Sequence, residues 1–245
     1  MRRRGNSRKK ELIIPQTGLV SDYSFDETTG LAIDSIGGHN GTCFNVIRPG
    51  GAVVQGKAAS ISGNAYEFNG TNSSVEINDN NDHSFVGATG DLPFSISLWI
   101  NRNTDNTCVV LARRSTGQEW QLSITSSLFS LEMYSQGSTS NRISRGATAS
   151  LQKWNHFVFR YDGSGINTGI QVFVNGSISS FPGGSSGTYV KMNNTSSTTI
   201  FGSYQKSSLF FKGLIDAPRI YKNHYLTDSE IAQLFKEGNR PEVIN

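Results

Sequence analysis

The chain is poor in cysteine and in long apolar runs, and each of these shortages excludes a class of protein. Its 245 residues include only two cysteines, Cys43 and Cys108, so a disulfide-rich scaffold is excluded. We expect two buried free thiols, and the sequence alone leaves a single disulfide between them open. No run of 18 apolar residues occurs, which excludes a transmembrane helix. The basic start is followed by only a short apolar run before Pro15, so we expect no signal peptide.

The most frequent residues of the chain are typical of strands and turns. Gly occurs 26 times and charged residues make up only 17% of the chain, while Ser, Thr and Asn are frequent. Such a composition favours β-strands joined by turns over helices. The length of 245 residues fits one large all-β domain.

The net charge of +3 comes from a short basic arm at the start of the chain. When its six basic residues are set aside, 16 of the 22 Lys and Arg remain against 19 Asp and Glu, so the rest of the chain is mildly acidic. We predict an arm over residues 1–16 and one domain over residues 17–245. Such an arm suits an anionic partner: nucleic acid, a phosphorylated surface or an acidic neighbouring subunit. The alternative is a disordered solubilising tail. Its charged residues are Arg2, Arg3, Arg4, Arg8, Lys9 and Lys10.

Short segments of alternating apolar and polar residues predict about thirteen strands. In residues 94–102, the even-numbered apolar side chains share one face and Trp99 lies on the other. Trp99 and Trp154 are both expected in the core. Asn175-Gly176 predicts a tight hairpin. The strand segments are 19–25, 65–70, 73–79, 94–102, 108–114, 120–124, 129–134, 154–163, 169–179, 198–203 and 209–221.

One helix is predicted near the end of the chain. Thr227 and Glu230 have the spacing of a capping box, with Thr at the N-cap and Glu three residues later. Ile231, Leu234 and Phe235 follow at helical spacing, and Gly238 is a typical stop signal. Many strands, many turns and one late helix predict an all-β, two-sheet antiparallel sandwich with one short C-terminal helix.

Six segments, in order, resemble concanavalin A-like, laminin-G-type jelly-roll domains over about residues 17 to 238. Each motif is weak alone, and their common order is what makes the resemblance specific. The segments are GLVSDYSFDETTGLAIDSIGGHNGT, AYEFNGTNSSVEI, FSISLWINR, WNHFVFRYDG, VFVNGS and FKGLIDAPRIYKNHYLTDSEIAQLF. The resemblance implies a curved jelly-roll sandwich, and the functions of such domains vary widely.

Catalysis is not expected. Hydrolytic relatives of this fold place paired carboxylates on one strand, because glycoside hydrolysis needs two acids across the bond. No such pairing is present, and the separate strand acids are interpreted as solvent-facing: Glu67, Glu76, Glu119 and Glu132. Zinc-spaced Cys and His clusters are absent too, and no nucleophile elbow is expected. The resemblance makes His156 structural.

The resemblance also implies one structural calcium near the N-terminal loop. The matching positions are Asp26, Asp34 and Asp216, with carbonyls from residues 37–41, and oxygen ligands of this kind suit calcium. Ala217 stands where the family commonly has Glu, which removes one carboxylate. The alternative is that Asp34 and Asp216 cap turns.

A carbohydrate site needs an aromatic platform and planar polar groups. We place the candidates in loops between strands, with Trp120 and Tyr134 as the better exposed aromatics. The candidate ligand-binding residues are Trp120, Tyr134, Asn141, Arg142 and Tyr204, with Tyr189 and Gln205 nearby.

Three functions are consistent with these patterns. The first is a non-catalytic recognition module that binds glycan or another surface ligand. The second is a structural or decoration protein of a virus particle, such as a phage, whose basic arm docks on the shell. The lack of a signal peptide, in a fold that usually works outside cells, favours this second function and a virion-surface or other extracellular location. The third and least favoured is a glycoside hydrolase.

Overall fold

The computed structural model describes residues 14–48, 64–135, 138–179 and 181–238. The charged residues of the predicted arm lie outside these ranges. The described residues form fifteen strands and one α-helix. The strands are β1 (Leu19–Asp22), β2 (Gly41–Phe44), β3 (Tyr66–Asn69), β4 (Ser74–Ile77), β5 (Phe94–Arg102), β6 (Cys108–Arg113), β7 (Trp120–Thr125), β8 (Leu128–Ser135), β9 (Ser138–Thr148), β10 (Trp154–Tyr161), β11 (Ile170–Val174), β12 (Ser177–Ile178), β13 (Gly184–Ser186), β14 (Thr199–Phe201) and β15 (Lys212–Lys222), and the helix is α1 (Asp228–Gly238).

Two antiparallel sheets face each other. One has seven strands in the order β1-β15-β5-β10-β11-β12, with β3 also paired to β15, and the other has eight in the order β13-β9-β8-β7-β6-β14-β4-β2. Neighbouring strands in both sheets are antiparallel. The prediction of a two-sheet antiparallel sandwich is confirmed.

Alternation along the strands builds the core between the sheets. The even-numbered apolar residues of β5 are buried there, together with Phe157, Phe159 and Tyr161 of β10. Successive side chains of a strand point to opposite faces, so one face of each strand enters the core and the other does not. Trp99 and His156 therefore lie on the outer face of the seven-stranded sheet, where Phe235 of α1 stacks on both rings.

The helix closes that outer face. Thr227 and Glu230 form the predicted capping box, because Glu230 N–H donates to Thr227 Oγ1 (3.3 Å) and Thr227 N–H donates to Glu230 Oε2 (2.7 Å). Ile231 and Leu234 pack with Val158 and Tyr221 of the sheet in a second, smaller apolar cluster. No helix among the described residues is long and apolar enough to cross a membrane.

The strand predictions are largely confirmed, and the exceptions are informative. The Asn175-Gly176 turn has φ of 52° and 79°, as its hairpin requires. Strands β2, β9 and β13 were not predicted, because their Gly, Ser, Thr and Asn content is typical of turns. Both cysteines are free, with Cys108 buried and Cys43 half-buried. Burial raises the pKa of the Cys108 thiol to about 12.

Candidate ligand-binding groove

A groove lies on the outer face of the eight-stranded sheet. On β7 and β8 the apolar residues Leu122, Ile124 and Leu131 point into the core, so the residues between them point outward. The pocket has a volume of about 270 Å³. Its lining residues, which define the groove below, are Thr107, Cys108, Val109, Arg114, Gln121, Ser123, Thr125, Glu132, Tyr134, Thr139, Arg142 and Leu209.

Glu132 is the centre of the polar network in the groove. Its Oε1 accepts hydrogen bonds from Gln121 Nε2 (3.0 Å) and from Ser123 Oγ. Its Oε2 accepts from the Tyr134 hydroxyl (3.0 Å) and from Arg142 Nη1 (3.1 Å). Four donors from three neighbouring strands thus fix one carboxylate, because the antiparallel register places these positions side by side.

A second cation, Arg114, lies behind this carboxylate. Its guanidinium carbon is 4.3 Å from the ring centre of Tyr134 and 4.9 Å from that of Tyr204, a cation–π contact with both rings. Its Nη1 donates to the Tyr134 hydroxyl (3.1 Å) and to Gln121 Oε1, and its Nη2 donates to Gln118 Oε1 (2.7 Å). The Tyr134 hydroxyl therefore accepts from Arg114 and donates to Glu132. Burial, followed by the charge of Glu132, raises the pKa of Tyr134 above its usual value, so this hydroxyl keeps its proton.

The predicted ligand-binding residues have different positions in the structure. Tyr134 and Arg142 line the groove, although they lie on β8 and β9 rather than in loops. Tyr204 adjoins the groove through Arg114. Asn141 is on β9 and accepts a hydrogen bond from Thr188 N–H (3.1 Å), away from the groove lining. The interpretation of Trp120 and Tyr134 as the better exposed aromatics is wrong. Tyr134 is only 2% exposed, and the Trp120 side chain is fully buried, with its Nε1 donating to the His83 carbonyl (2.9 Å).

Sequence reasoning missed the groove residues Arg114, Gln121 and Ser123, and it misjudged Glu132. The available signal was alternation, since Gln121 and Ser123 flank core Leu122 just as Glu132 flanks core Leu131. The sequence predicts a solvent-facing Glu132, but its side chain is only 14% exposed. Pairing of β7 with β8 then sets Gln121 directly opposite Glu132.

Glu119 also departs from its predicted solvent-facing position. Its side chain is fully buried and forms an ion pair with the equally buried Arg113 (2.9 Å). The carboxylate accepts further hydrogen bonds from Ser84 Oγ (2.7 Å) and from Thr195 N–H (2.9 Å) and Oγ1 (2.7 Å). Its backbone carbonyl accepts from Tyr134 N–H (2.8 Å), which connects this buried pair to the groove.

Among the described residues, two serine side chains contact histidine rings, and both contacts are buried. Ser21 Oγ lies 2.8 Å from His83 Nε2, and Ser97 Oγ lies 2.8 Å from His156 Nε2. All four side chains are buried, so a substrate has no access to either hydroxyl. Burial lowers the pKa of His83 well below its usual value, and burial with the charge of Arg219 lowers that of His156 to about 3. Both rings are neutral structural groups, as predicted for His156.

The predicted calcium ligands do not form a three-acid cluster. Asp34 uses its carboxylate to accept from the N–H groups of Asp22 (2.9 Å), Ile36 (3.1 Å) and His39 (3.2 Å), as the turn-capping alternative requires. Asp26 accepts from Asn64 N–H, and Asp216 is buried on β15. No group of three His, Cys, Asp or Glu side chains suited to a metal occurs among the described residues. The binding of one structural calcium near the N-terminal loop stays a prediction.

The comparisons with known proteins agree with this architecture. Residues 69–232, about two thirds of the chain, match the model of the concanavalin A-like lectin/glucanases superfamily. The chain belongs to this superfamily, as its motifs predicted. A comparison with curated proteins gave no match.

Solved structures with this fold include several binding domains. The ligand-binding domain of botulinum neurotoxin serotype D, in complex with N-acetylneuraminic acid, has 15% identity and a TM-score of 0.61, with 89% of this chain and 50% of that chain covered. Domain 4 of AbnA, an extracellular arabinanase from Geobacillus stearothermophilus, in complex with arabinotriose, has 22% identity and a TM-score of 0.59, with 90% and 99% covered. The binding domain of Paraclostridial Mosquitocidal Protein 1 has 18% identity and a TM-score of 0.60, with 89% and 52% covered. The chain spans about half the length of the toxin domains, and these identities show a shared fold.

Proposed function

We propose that this protein is a non-catalytic recognition module that binds carbohydrate in the groove of the eight-stranded sheet. The observation that carries the proposal is the fixed network around Glu132, in which an amide, two hydroxyls and a guanidinium converge on one carboxylate. Sugars are recognised by planar polar groups held in place before the ligand arrives, because less ordering entropy is then lost on binding. Four partners hold Glu132 and three hold Arg114, so little reordering is needed.

The residues that line the groove favour binding over hydrolysis. Glu132 is the single carboxylate among them. Both retaining and inverting glycosidases use a pair of carboxyl groups flanking the scissile bond. Glu132 also accepts four hydrogen bonds, which leaves it poorly placed to act as a nucleophile or base. We therefore infer a binding protein rather than an enzyme.

Two structural neighbours support carbohydrate as the ligand class. Their structures were determined with N-acetylneuraminic acid and with arabinotriose. The identities of 15% and 22% carry no ligand from those proteins to this one, so the groove itself has to be tested.

A glycan array combined with a blocked groove tests the proposal. Thr125 lines the groove and is exposed, so Thr125→Trp fills the opening without entering the core. We expect the wild type to give saturable array hits and Thr125→Trp to lose at least about tenfold in affinity, since steric exclusion removes the ligand's hydrogen bonds.

The matched control is Thr42→Trp. Thr42 is exposed on β2, at the far edge of the same sheet, and does not line the groove. Its affinity should equal that of the wild type. An empty array, or equal loss in both variants, would refute binding in the groove.

We propose further that the domain is displayed on an assembly such as a phage particle, with its basic arm docked on the shell. The support for this context is the arm's six positive charges on an otherwise mildly acidic chain. Deleting residues 1–13 should abolish incorporation into particles and leave the melting temperature of the domain unchanged. Normal incorporation of the shortened chain would rule out docking by the arm.

A further inference from the structure

The groove contains more positive than negative charge. Its charged lining residues are two arginines, Arg114 and Arg142, and one carboxylate, Glu132. Arg142 is paired with Glu132 at 3.1 Å. Arg114 forms no ion pair with any carboxylate among the described residues, and its hydrogen-bond acceptors are the neutral Gln118, Gln121 and Tyr134. The groove lining therefore has one carboxylate for two guanidinium groups, and only Arg142 is paired with it.

The burial of Arg114 makes this imbalance significant. The residue is only 9% exposed, and its Nε is buried without a hydrogen-bond partner in the described part of the chain. An arginine stays charged at any ordinary pH, and a cation held away from water is costly unless an anion compensates it. The rings of Tyr134 and Tyr204 compensate Arg114 only in part.

Arg142 supplies the accessible donors at the mouth of the groove. Its side chain is 47% exposed, and within the described residues only its Nη1 is used, by Glu132. The rest of the planar guanidinium faces solvent with donors in the fork arrangement that fits a carboxylate. Glu132 cannot supply a competing acceptor for neutral hydroxyls, because its two oxygens already accept four hydrogen bonds.

We infer that the groove binds an acidic saccharide, in which a sugar carboxylate contacts Arg142 and neutralises the excess charge from Arg114. This inference rests on the proposed function and narrows its ligand class. Arg142 is then the specificity-determining residue, and Arg114 is a positioning residue that acts through Tyr134 and through its charge.

The test is an array of matched pairs, each carboxylate-bearing saccharide beside its neutral, carboxyl-reduced form. Affinities of the positive pairs are then measured by calorimetry at low and high salt. We expect the acidic member to bind at least about tenfold more tightly, as a charge-assisted hydrogen bond to a guanidinium predicts. The preference should shrink as salt rises, because the groove is open to solvent.

Arg142→Gln should remove most of that preference, so that the ratio of the acidic-form affinity to the neutral-form affinity falls towards one. Arg142→Lys should retain only part of the preference for the acidic form, because lysine keeps the positive charge but lacks the paired donors of the planar guanidinium. Lys153→Gln is the matched control: it removes the same charge from an exposed residue that precedes a strand of the other sheet, and its acid-to-neutral ratio should equal that of the wild type.

The outcomes separate the two proposals. Equal binding of acidic and neutral forms would overturn this inference and leave carbohydrate recognition intact, whereas binding of neither form would overturn both. Binding of sulfated but not carboxylated sugars would overturn the carboxylate assignment. If polyglutamate bound as tightly as the acidic saccharide, the groove would be recognising negative charge alone. That result would overturn the assignment of the ligand as a saccharide.

Discussion

The buried ion pair between Glu119 and Arg113 gives the most direct test of how buried charges stabilise this protein. Both side chains are fully buried, and their contact is 2.9 Å. Arg113 has one other carboxylate partner among the described residues, Asp79 at 2.6 Å, and that side chain is 45% exposed. Glu119→Gln keeps the shape and removes the negative charge, so the buried guanidinium would depend on a solvent-screened acid.

The expected cost follows from burial. Removing one member of a buried ion pair destabilises a protein by about 3–5 kcal/mol. The lower end applies here, because the Gln carbonyl still accepts from Arg113 and Thr195 while its amide turns to the Ser84 hydroxyl, which accepts as well as donates. We therefore expect a loss of about 3 kcal/mol, equivalent to a fall of about 6–12 °C in melting temperature for a domain of this size.

Urea unfolding followed by tryptophan fluorescence and circular dichroism measures this loss. The control is Glu76→Gln, on the same sheet, which breaks an ion pair with Lys206 whose side chains are 21% and 39% exposed. An exposed pair contributes at most about 1 kcal/mol. If Glu119→Gln destabilised the protein no more than Glu76→Gln, the assignment of Glu119 to a buried network would be refuted.

Two further predictions concern protonation and the helix. His156 has a folded-state pKa of about 3, below the usual 6.5, so its neutral form stabilises the protein fully above pH 6.5 and this stabilisation is lost as the pH falls towards 3. From pH 7 to pH 5 the unfolding free energy should fall by about 2 kcal/mol from this group. His156→Asn should flatten the pH dependence of the unfolding free energy. An unchanged slope would contradict the assignment of His156 as a buried neutral ring. Thr227→Ala removes the helix N-cap and should cost about 1 kcal/mol, measurable as a lower urea midpoint at constant slope, whereas the exposed Thr148→Ala should cost less.

Local structural features could be predicted directly from the sequence. The alternation of residues 94–102 predicted the strand and its core face, because a strand has a two-residue period. Asn175-Gly176 predicted a hairpin, since both positions need positive φ. The capping box of Thr227 and Glu230 predicted the start of the helix. Each of these signals acts over a few residues, and their order along the chain was enough to identify the superfamily.

The outward-facing surface required the tertiary structure. Strand β9 has the composition of a loop, so Arg142 was expected in a loop; pairing with β8 holds it beside Tyr134 instead. Trp120 and Glu119 were expected at the surface, and residues far away in sequence, His83 and Thr195, enclose them. Burial depends on which distant segments cover a position, and no local pattern contains that information.

Residue patterns and the order of the motifs were enough to predict the family, the two-sheet sandwich, the C-terminal helix and the concentration of positive charge at the start of the chain. The groove that we propose as the ligand site could be found only from the folded chain, because it joins positions on β6, β7, β8 and β9 that no single motif contains. Strand register aligns Gln121 with Glu132 and Tyr134 with Arg142. The excess positive charge of the groove has two sources. The alignment of β8 with β9 brings Arg142 to Glu132, and Arg114, which follows β6, adds a second guanidinium without a second carboxylate.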